Sequence, residues 1–286
     1  MTDPPFSNIA IAGLGLIGGS IALAVRERWP STRILGIDQP SVVAHAIGSG
    51  AIDRSGSSVH DVGHPDLLIL AAPVRENASL LTSVASLVNG ATVVTDVGGT
   101  KRDIVDVWHK QAPTVTFVGG HPIGGAEKGG FGFARPDLFA GRPWIFTPDG
   151  SVADTALERV MMFARGLGAR PMTMEPARHD RLMAFVSHLP QLTASALMEI
   201  VGRAATAEGL RVAGRGLVDT TRLASSPAHV WRDICAANAD ELGHALDLLI
   251  ERLTAMRADL KGGDSIEDVF TDAARWRAEL MKGRDG

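Results

Sequence analysis

An apolar run, NIAIA at positions 8–12, leads directly into G-L-G-L-I-G at 13–18 and then into a helix-like stretch that begins GSIALAVRE. No other feature restricts the fold so tightly. A buried strand that ends in glycines and restarts as a helix reads as the first βα turn of a dinucleotide-binding unit. Gly13 permits the tight turn, Gly15 lets a pyrophosphate meet the backbone, and Gly18 lets the helix pack on the strand. Leu16 and Ile17 lie at the start of that helix, where free N–H groups face the phosphates. Asp38 ends the next apolar run, 20 residues past Gly18. A carboxylate there can bond both ribose hydroxyls and repels a 2′-phosphate, so the expected cofactor is NAD rather than NADP. Two alternatives stay open: a structural glycine turn, and Asp38 as the cap of a helix beginning at Gln39-Pro40-Ser41.

The same grammar continues to residue 174. RILGID (33–38), DLLILAA (66–72), ATVVTDV (91–97), TVTFVG (114–119) and WIFTP (144–148) are short apolar runs punctuated by Gly, Asp or Pro. Their lengths suit strands buried on both faces. Amphipathic stretches at 16–29, 75–88, 101–111 and 151–167 are long enough to cross between them. The alternation predicts a doubly wound, Rossmann-like α/β domain over residues 1–174. From residue 175 the strand runs stop, and 178–205, 228–258 and 265–281 show helix spacing, so 175–286 is expected to be an all-helical domain. The stretch 178–205 is apolar on more than one face and is expected to be buried in a core or at a subunit interface. Ser265 and Asp268 are spaced as a capping box, with Ile266, Val269 and Phe270 as an apolar stripe behind it.

A chain of 286 residues can bury two such domains. Its net charge of −4 gives no footprint for nucleic acid. No apolar run is long enough to span a membrane and no basic leader opens the chain, so a cytoplasmic protein is expected. The lone Cys235 cannot form an internal disulfide, and WRDICAAN places it on the buried side of a helix.

The stretch GGHPIGGAEKGG (119–130) sets His121 at the exit of an apolar strand, at the sheet edge that carries the glycine turn. Pro122 stiffens the chain just beyond it. Hydride transfer to NAD from a carbon bearing oxygen or nitrogen releases a proton, and an imidazole can take it near neutral pH. A catalytic or substrate-contacting base, a loop or capping residue, and a metal ligand are the three readings. The last fits poorly, because no H-x-x-x-H, cysteine or acidic cluster lies nearby. At the neighbouring strand ends, Ala72-Pro73 and Gly98 fall beside the expected nicotinamide half. Lys101 reads either as a near-site cation or as a solvated first-turn residue, and Thr100 either as a helix cap or as a substrate donor.

Taken together, GLGLIGGS, TDVGGTK, GGHPIGGAEKGG, DLFAGRPWIFTP (137–148), HDRLMAFVSHLPQLTASAL (179–197) and GRGLVDTTRLASSPAHVWRDICAAN (214–238) resemble the prephenate and arogenate dehydrogenase family over nearly the whole chain. The resemblance implies a nucleotide domain, a helical substrate and dimerisation domain that builds a homodimer, and a small cyclohexadienyl carboxylate as substrate. It also implies the reaction: hydride leaves ring C4, a C4 carbonyl forms, and the C1 carboxylate departs as the ring becomes aromatic. His121 matches the histidine that bonds the C4 hydroxyl, and Arg222 matches an arginine that engages a substrate carboxylate. His179 and His188 match histidines of the helical motif. By themselves, Arg222 reads equally as a surface or ion-pair arginine and His188 as a structural histidine. His179 precedes His188 by nine residues, half a turn out of phase on a straight helix, and is expected to cap or bridge elements.

Two positions depart from the family pattern. Gly99 stands where many members carry a serine that assists at the C4 oxygen. Gln191 stands where S-H-L-P-H ends in histidine; it keeps a donor and an acceptor but carries no charge. These changes leave room for an analogue with an amino group at C4, as in 4-amino-4-deoxyprephenate. Another NAD-linked dehydrogenase on the same two-domain frame, and a non-catalytic nucleotide-binding protein, are the other classes considered.

Overall fold

In the computed structural model, which describes residues 3–282 except 89, 113, 126–127 and 151, NIAIA forms strand β1 (Asn8–Ala12) at the heart of a sheet. The other strands are β2 (Arg33–Ile37), β3 (Arg54–Gly56), β4 (Leu67–Leu70), β5 (Val93–Asp96), β6 (Thr116–Pro122), β7 (Pro143–Thr147) and β8 (Arg170–Thr173). Their spatial order is β3-β2-β1-β4-β5-β6-β7-β8. Pairings from β3 through β6 are parallel, β7 runs antiparallel to β6, and β8 is parallel to β7. The chain order reverses between β1 and β4, which opens a crevice at the carboxyl ends of those strands.

Alternate residues of each central strand serve opposite layers. Ile9 and Ile11 of β1, with Leu67 and Ile69 of β4, pack with Ile21 and Val25 of helix α1 (Leu16–Arg28) and Phe163 of a later helix, Asp154–Gly166. Ala10, Ala12, Leu68 and Leu70 face the other way. They pack with Leu81 and Val84 of Val74–Val84 and with Ile104 and Trp108 of Arg102–Gln111. Numbered in chain order, with Pro40–Gly48 as α2, these helices are α3 (Val74–Val84), α4 (Arg102–Gln111) and α5 (Asp154–Gly166). The doubly wound, Rossmann-like expectation is met. The helix offered at Gln39-Pro40-Ser41 is α2, with Gln39 rather than Asp38 at its N-cap position, whereas the sequence pattern misses β3 and β8. β3 is three residues long, and β8 is a mostly exposed RPMT edge, so neither shows an apolar run.

His121 does not lie beyond the strand, as its glycines suggest, but within it. After pairing with β5 as far as Val118, β6 continues from Gly119 in antiparallel register with β7, where His121 pairs with Ile145. Position 120 needs glycine for space: a Cβ there would sit 2.6 Å from the Asp96 carbonyl oxygen.

No strand follows Thr173 among the described residues, and the rest of the chain is helical. Where one helix over 178–205 is expected, the structure has α6 (Pro176–Met183), a π turn (Ala184–His188) and α7 (Leu189–Leu210). Pro190 explains the break, because it lacks an N–H for the carbonyl of Val186 and its ring crowds that carbonyl. Next come α8 (Arg215–Thr220), a 3₁₀ turn (Arg222–Ser225) and α9 (Ala228–Ala237). Asn238, at φ −132° and ψ 34°, interrupts the expected helix 228–258, and α10 (Ala239–Ala258) begins after it. Contacts divide the chain into a unit of residues 1–239 and a smaller unit of residues 240–286. The smaller unit holds most of α10 and all of α11 (Asp264–Lys282).

Two smaller expectations change. Ser265 lies inside α11 and gives its N–H to Asp259 Oδ2 (2.6 Å), so the capping box with Asp268 is not formed. Cys235 is only partly buried, and that burial raises its thiol pKa. In the single chain only Gln191 and Ala194 of α7 are buried, and Ile200 is 62% exposed. Among the described residues, no helix is long and apolar enough to cross a membrane.

The glycine contacts generate a paired expectation. Gly120→Ala forces apart two adjacent strands and should destabilise by about 1–3 kcal/mol, as overpacking does. Gly48→Ala, in helix α2 with open space around its Cβ, should be neutral or slightly stabilising. Thermal melts compare the two, and equal melting temperatures would contradict the packing described.

Candidate active site

The crevice between β1 and β4 carries the glycine turn in the form its residues require. Gly13 has φ +100°, and a Cβ there would lie 2.5 Å from the Ala71 carbonyl carbon. A Cβ on Gly18 would collide with the Gly13 carbonyl oxygen, whereas one on Gly15 would meet nothing within 4 Å. The backbone at Gly15 is thus open to a close-approaching ligand. Helix α1 starts at Leu16 with no side-chain cap and no acidic residue in its first turn, so the N–H groups around Leu16 and Ile17 remain suited to an anion. Asp38 caps no helix: its Oδ2 accepts from Leu14 N (2.6 Å) and its Oδ1 from Gln39 N (2.6 Å). It ties the end of β2 to the glycine turn and keeps a carboxylate at the crevice. Ala72 and Pro73 end β4 on the other side, and Ala72 N donates to the buried Asn77 Oδ1 at 3.0 Å. These groups fit a dinucleotide.

At the next strand end, the Asp96 carboxylate gathers the loop and the histidine strand. It accepts from Gly98 N (2.8 Å), from Gly120 N (3.0 Å) and from Lys101 Nζ. Lys101 is fully buried in that ion pair, which removes the solvated reading. Thr100 is buried too, but it is not the cap of α4: its Oγ1 has no hydrogen-bond partner. The cap comes from elsewhere in the sequence. Asp180, on α6, accepts from Lys101 N (2.8 Å) and Arg102 N (2.9 Å), and Arg102 Nε lies 3.3 Å from the same carboxylate.

Asp180 also accepts from His179 Nδ1 at 2.7 Å, and His179 Nε2 lies 2.9 Å from His121 Nδ1. The carboxylate can only accept, so His179 donates from Nδ1. Where His179 Nε2 is the acceptor of this second contact, its donor is His121 Nδ1–H. His121 Nε2 is left with a lone pair. A Cβ on Gly99 would stand 3.9 Å from this nitrogen and 3.7 Å from Ile234 Cδ1 of α9, so Nε2 looks onto the space above Gly99. Desolvation first, then the nearby His179, Lys101 and His188, hold the His121 pKa well below 6.5. It is a neutral acceptor at neutral pH. Burial opposes the charge on Asp180, but the hydrogen bonds from His179 and from the Arg102 and Lys101 backbone outweigh it and keep its pKa below 3.8.

His188 joins this cluster despite the nine-residue spacing. The π turn absorbs about one extra residue, so the two histidines lie about 80° apart rather than about 180°. His188 is buried, its ring edge-on to Trp231 at 6.0 Å, and its Nδ1 lies 3.3 Å from Asn238 Nδ2. Desolvation and His179 lower its pKa to about 4, although Asp180 pulls the other way. Gln191 is buried, with Nε2 donating to the Leu223 carbonyl (2.7 Å) and Oε1 accepting from Ser226 Oγ (3.1 Å). It pins the turn that begins at Arg222, whose own side chain is exposed. Asp96, Asp180, Arg102 and Asn238 are missing from the sequence reading. Asp180 is visible in HDRLM, but nothing local marks its partners.

Known proteins match both halves of the chain. The family model "Prephenate dehydrogenase, nucleotide-binding domain" matches residues 21–173, and "Prephenate dehydrogenase, dimerization domain" matches residues 175–271. The chain is 35% identical to the prephenate dehydrogenase of Bacillus subtilis over 92% of this chain and 72% of that one. It is 29% identical to the cyclohexadienyl dehydrogenase of Zymomonas mobilis over 98% of each. A crystal structure of Aquifex aeolicus prephenate dehydrogenase with hydroxyphenyl propionate and NAD+ superposes with a TM-score of 0.86 at 28% identity, covering 98% of this chain and 99% of that one.

The buried imidazoles set an acid limit on stability. An unfolded histidine binds its proton near 6.5, whereas folded His188 waits until about 4. The unfolded chain therefore holds more protons in between, and stability, complete above 6.5, falls as pH drops through this window. His188→Gln should lose less melting temperature than the native chain between about pH 7.5 and about pH 5. An equal loss in both would contradict the neutral assignment.

Proposed function

This chain belongs to the prephenate dehydrogenase family, and from that footing we propose that it oxidatively decarboxylates a cyclohexadienyl carboxylate, prephenate or arogenate, with NAD. The observation that carries the reading is the lone pair on His121 Nε2, aimed over Gly99 while Nδ1 is anchored through His179 to Asp180. An acceptor so fixed suits proton removal from a C4 hydroxyl.

Gly13, Gly15, Leu16, Ile17 and Gly18 would hold the cofactor's pyrophosphate, Asp38 its adenosine ribose, and Ala72, Pro73 and Gly98 the nicotinamide end. NAD, when bound, supplies the hydride acceptor. His121 Nε2 takes the C4 hydroxyl proton as the C4–H electron pair leaves and the C4–O bond becomes a carbonyl. His121 Nδ1–H then points at His179, and the new positive charge is spread toward the Asp180 carboxylate. Loss of CO2 from C1 follows as the ring becomes aromatic, and it needs no second base. Here the protein contributes position and electrostatics.

Arg222 is assigned to a substrate carboxylate, which a guanidinium can grip through two N–H groups. Gln191 acts by holding the Arg222 turn, and His179 by orienting His121. Thr100, whose buried hydroxyl lacks a partner, adjoins Gly99 at the same place. Gly99 puts no hydroxyl beside His121 Nε2, which favours a second reading in which an amino group occupies C4. In this assignment residues 1–174 carry the cofactor and 175–286 the substrate and dimer functions. A homodimer is supported by the dimerization-domain match and by Ile200, Leu253, Phe270 and Trp276, each more than half exposed in the single chain.

The decisive assay offers NAD with prephenate, arogenate and 4-amino-4-deoxyprephenate and measures NADH and CO2 together. One NADH per CO2 is expected with at least one of them, and kcat/KM ranks the three. His121→Asn should lower turnover by about 10²–10⁴-fold with NAD affinity intact. Absence of CO2 release from all three substrates, or near-normal turnover in the variant, would overturn the reading.

A further inference from the structure

Three imidazoles crowd Asp180, yet the reaction above uses one base. Asn238 shows how the third is kept from acting as another. Its side chain is completely buried in the break between α9 and α10. Arg102 Nη2 donates to its Oδ1 at 2.8 Å. A guanidinium can only donate, so the amide oxygen must face Arg102 and the amide nitrogen must face the other way. There Nδ2 meets the Asp180 carbonyl oxygen at 2.8 Å and His188 Nδ1 at 3.3 Å. The carbonyl can only accept, which demands the same orientation independently. Both amide hydrogens are then assigned, one to the carbonyl and one to the ring. His188 Nδ1 must present a lone pair, because a proton on it would face an N–H.

We propose that Asn238 is a positioning residue that locks His188 as the Nε2–H tautomer, making it a fixed hydrogen-bond donor in the site rather than a base or a cation. The neighbours that could override this lock are named by the fold. His179 and Asp180 come from α6, His121 from β6, and Arg102 from α4, whereas α9 contributes the uncharged ring of Trp231. Of these only Asp180 favours a charged His188. Its carboxylate already accepts from His179, Arg102 and the Lys101 backbone. The three imidazoles therefore divide the work, with His121 accepting at Nε2, His179 connecting, and His188 donating from Nε2.

Long-range ¹H–¹⁵N correlation spectra of the full chain labelled at histidine nitrogens read the tautomer directly, with His188→Gln assigning the resonance. The native protein should show an unprotonated Nδ1 and a protonated Nε2 for His188 from about pH 8 to about pH 5. A protonated Nδ1, or titration of this ring near its ordinary value, overturns the proposal. In Asn238→Asp the carboxylate can accept from Nδ1, so His188 should gain a proton there and titrate at higher pH. A spectrum unchanged from the native one would also overturn it. Only the kinetic arm rests on the reaction proposed above. In Asn238→Ala the lost positioning of the His188 donor should raise KM about tenfold, the worth of one hydrogen bond, with kcat little changed. A fall confined to kcat counts against it, while the spectra separate that failure from a wrong substrate.

Discussion

A single carboxylate, that of Asp180, ends one helix and anchors a chain of imidazoles. A charge buried this deeply costs several kcal/mol unless it is hydrogen-bonded on every side. Asp180 meets that demand with the backbone of Lys101 and Arg102, the Arg102 guanidinium and His179. The positive end of α4 adds to the stabilisation. Because the same oxygen atoms satisfy the α4 terminus and His179, the helical residues cannot shift against the sheet without exposing an uncompensated charge. The polarity of the bonds follows from the acceptor at their origin, and it ends in the lone pair on His121.

A second carboxylate does for the sheet what Asp180 does for the helices. Asp96 draws in Gly98, Gly120 and Lys101, so the loop at the end of β5 and the strand carrying His121 are held by one group. Glycine at 119 and 120 is what allows that strand to approach. The crevice between β1 and β4 follows the same logic, with Asp38 clasping the glycine turn from the end of β2. In each case a carboxylate takes backbone N–H groups from a neighbouring element and holds two segments of the chain together.

Much of this was legible in the sequence where the signal is local. The glycine turn has its strand before it, its helix after it and its acid 20 residues on. All of them act within one βαβ unit, so their order is enough. His121 stands out because glycines and a proline surround it. The residues that give the imidazole its direction were not legible: Arg102 meets Asp180 across 78 positions and Asn238 across 136. No periodicity records such a pairing. Pro190 was in plain view, but its effect is a change of helical phase, and that phase decides whether His179 and His188 can share a cluster. Gln191 has a structural contact that its position in the sequence does not mark. Its amide holds a turn through the Leu223 carbonyl and Ser226, 32 and 35 positions away.

Replacement of Asp180 by Asn tests the central claim most directly, through kcat/KM measured beside NAD affinity and melting temperature. An amide cannot enforce donation from His179 Nδ1, so the lone pair on His121 is no longer assured. Activity should fall by about 10²–10⁴-fold in a chain that still folds and still binds NAD. Turnover within a factor of about two of the native enzyme, with the same pH dependence, would show that the imidazole gets its direction from somewhere else.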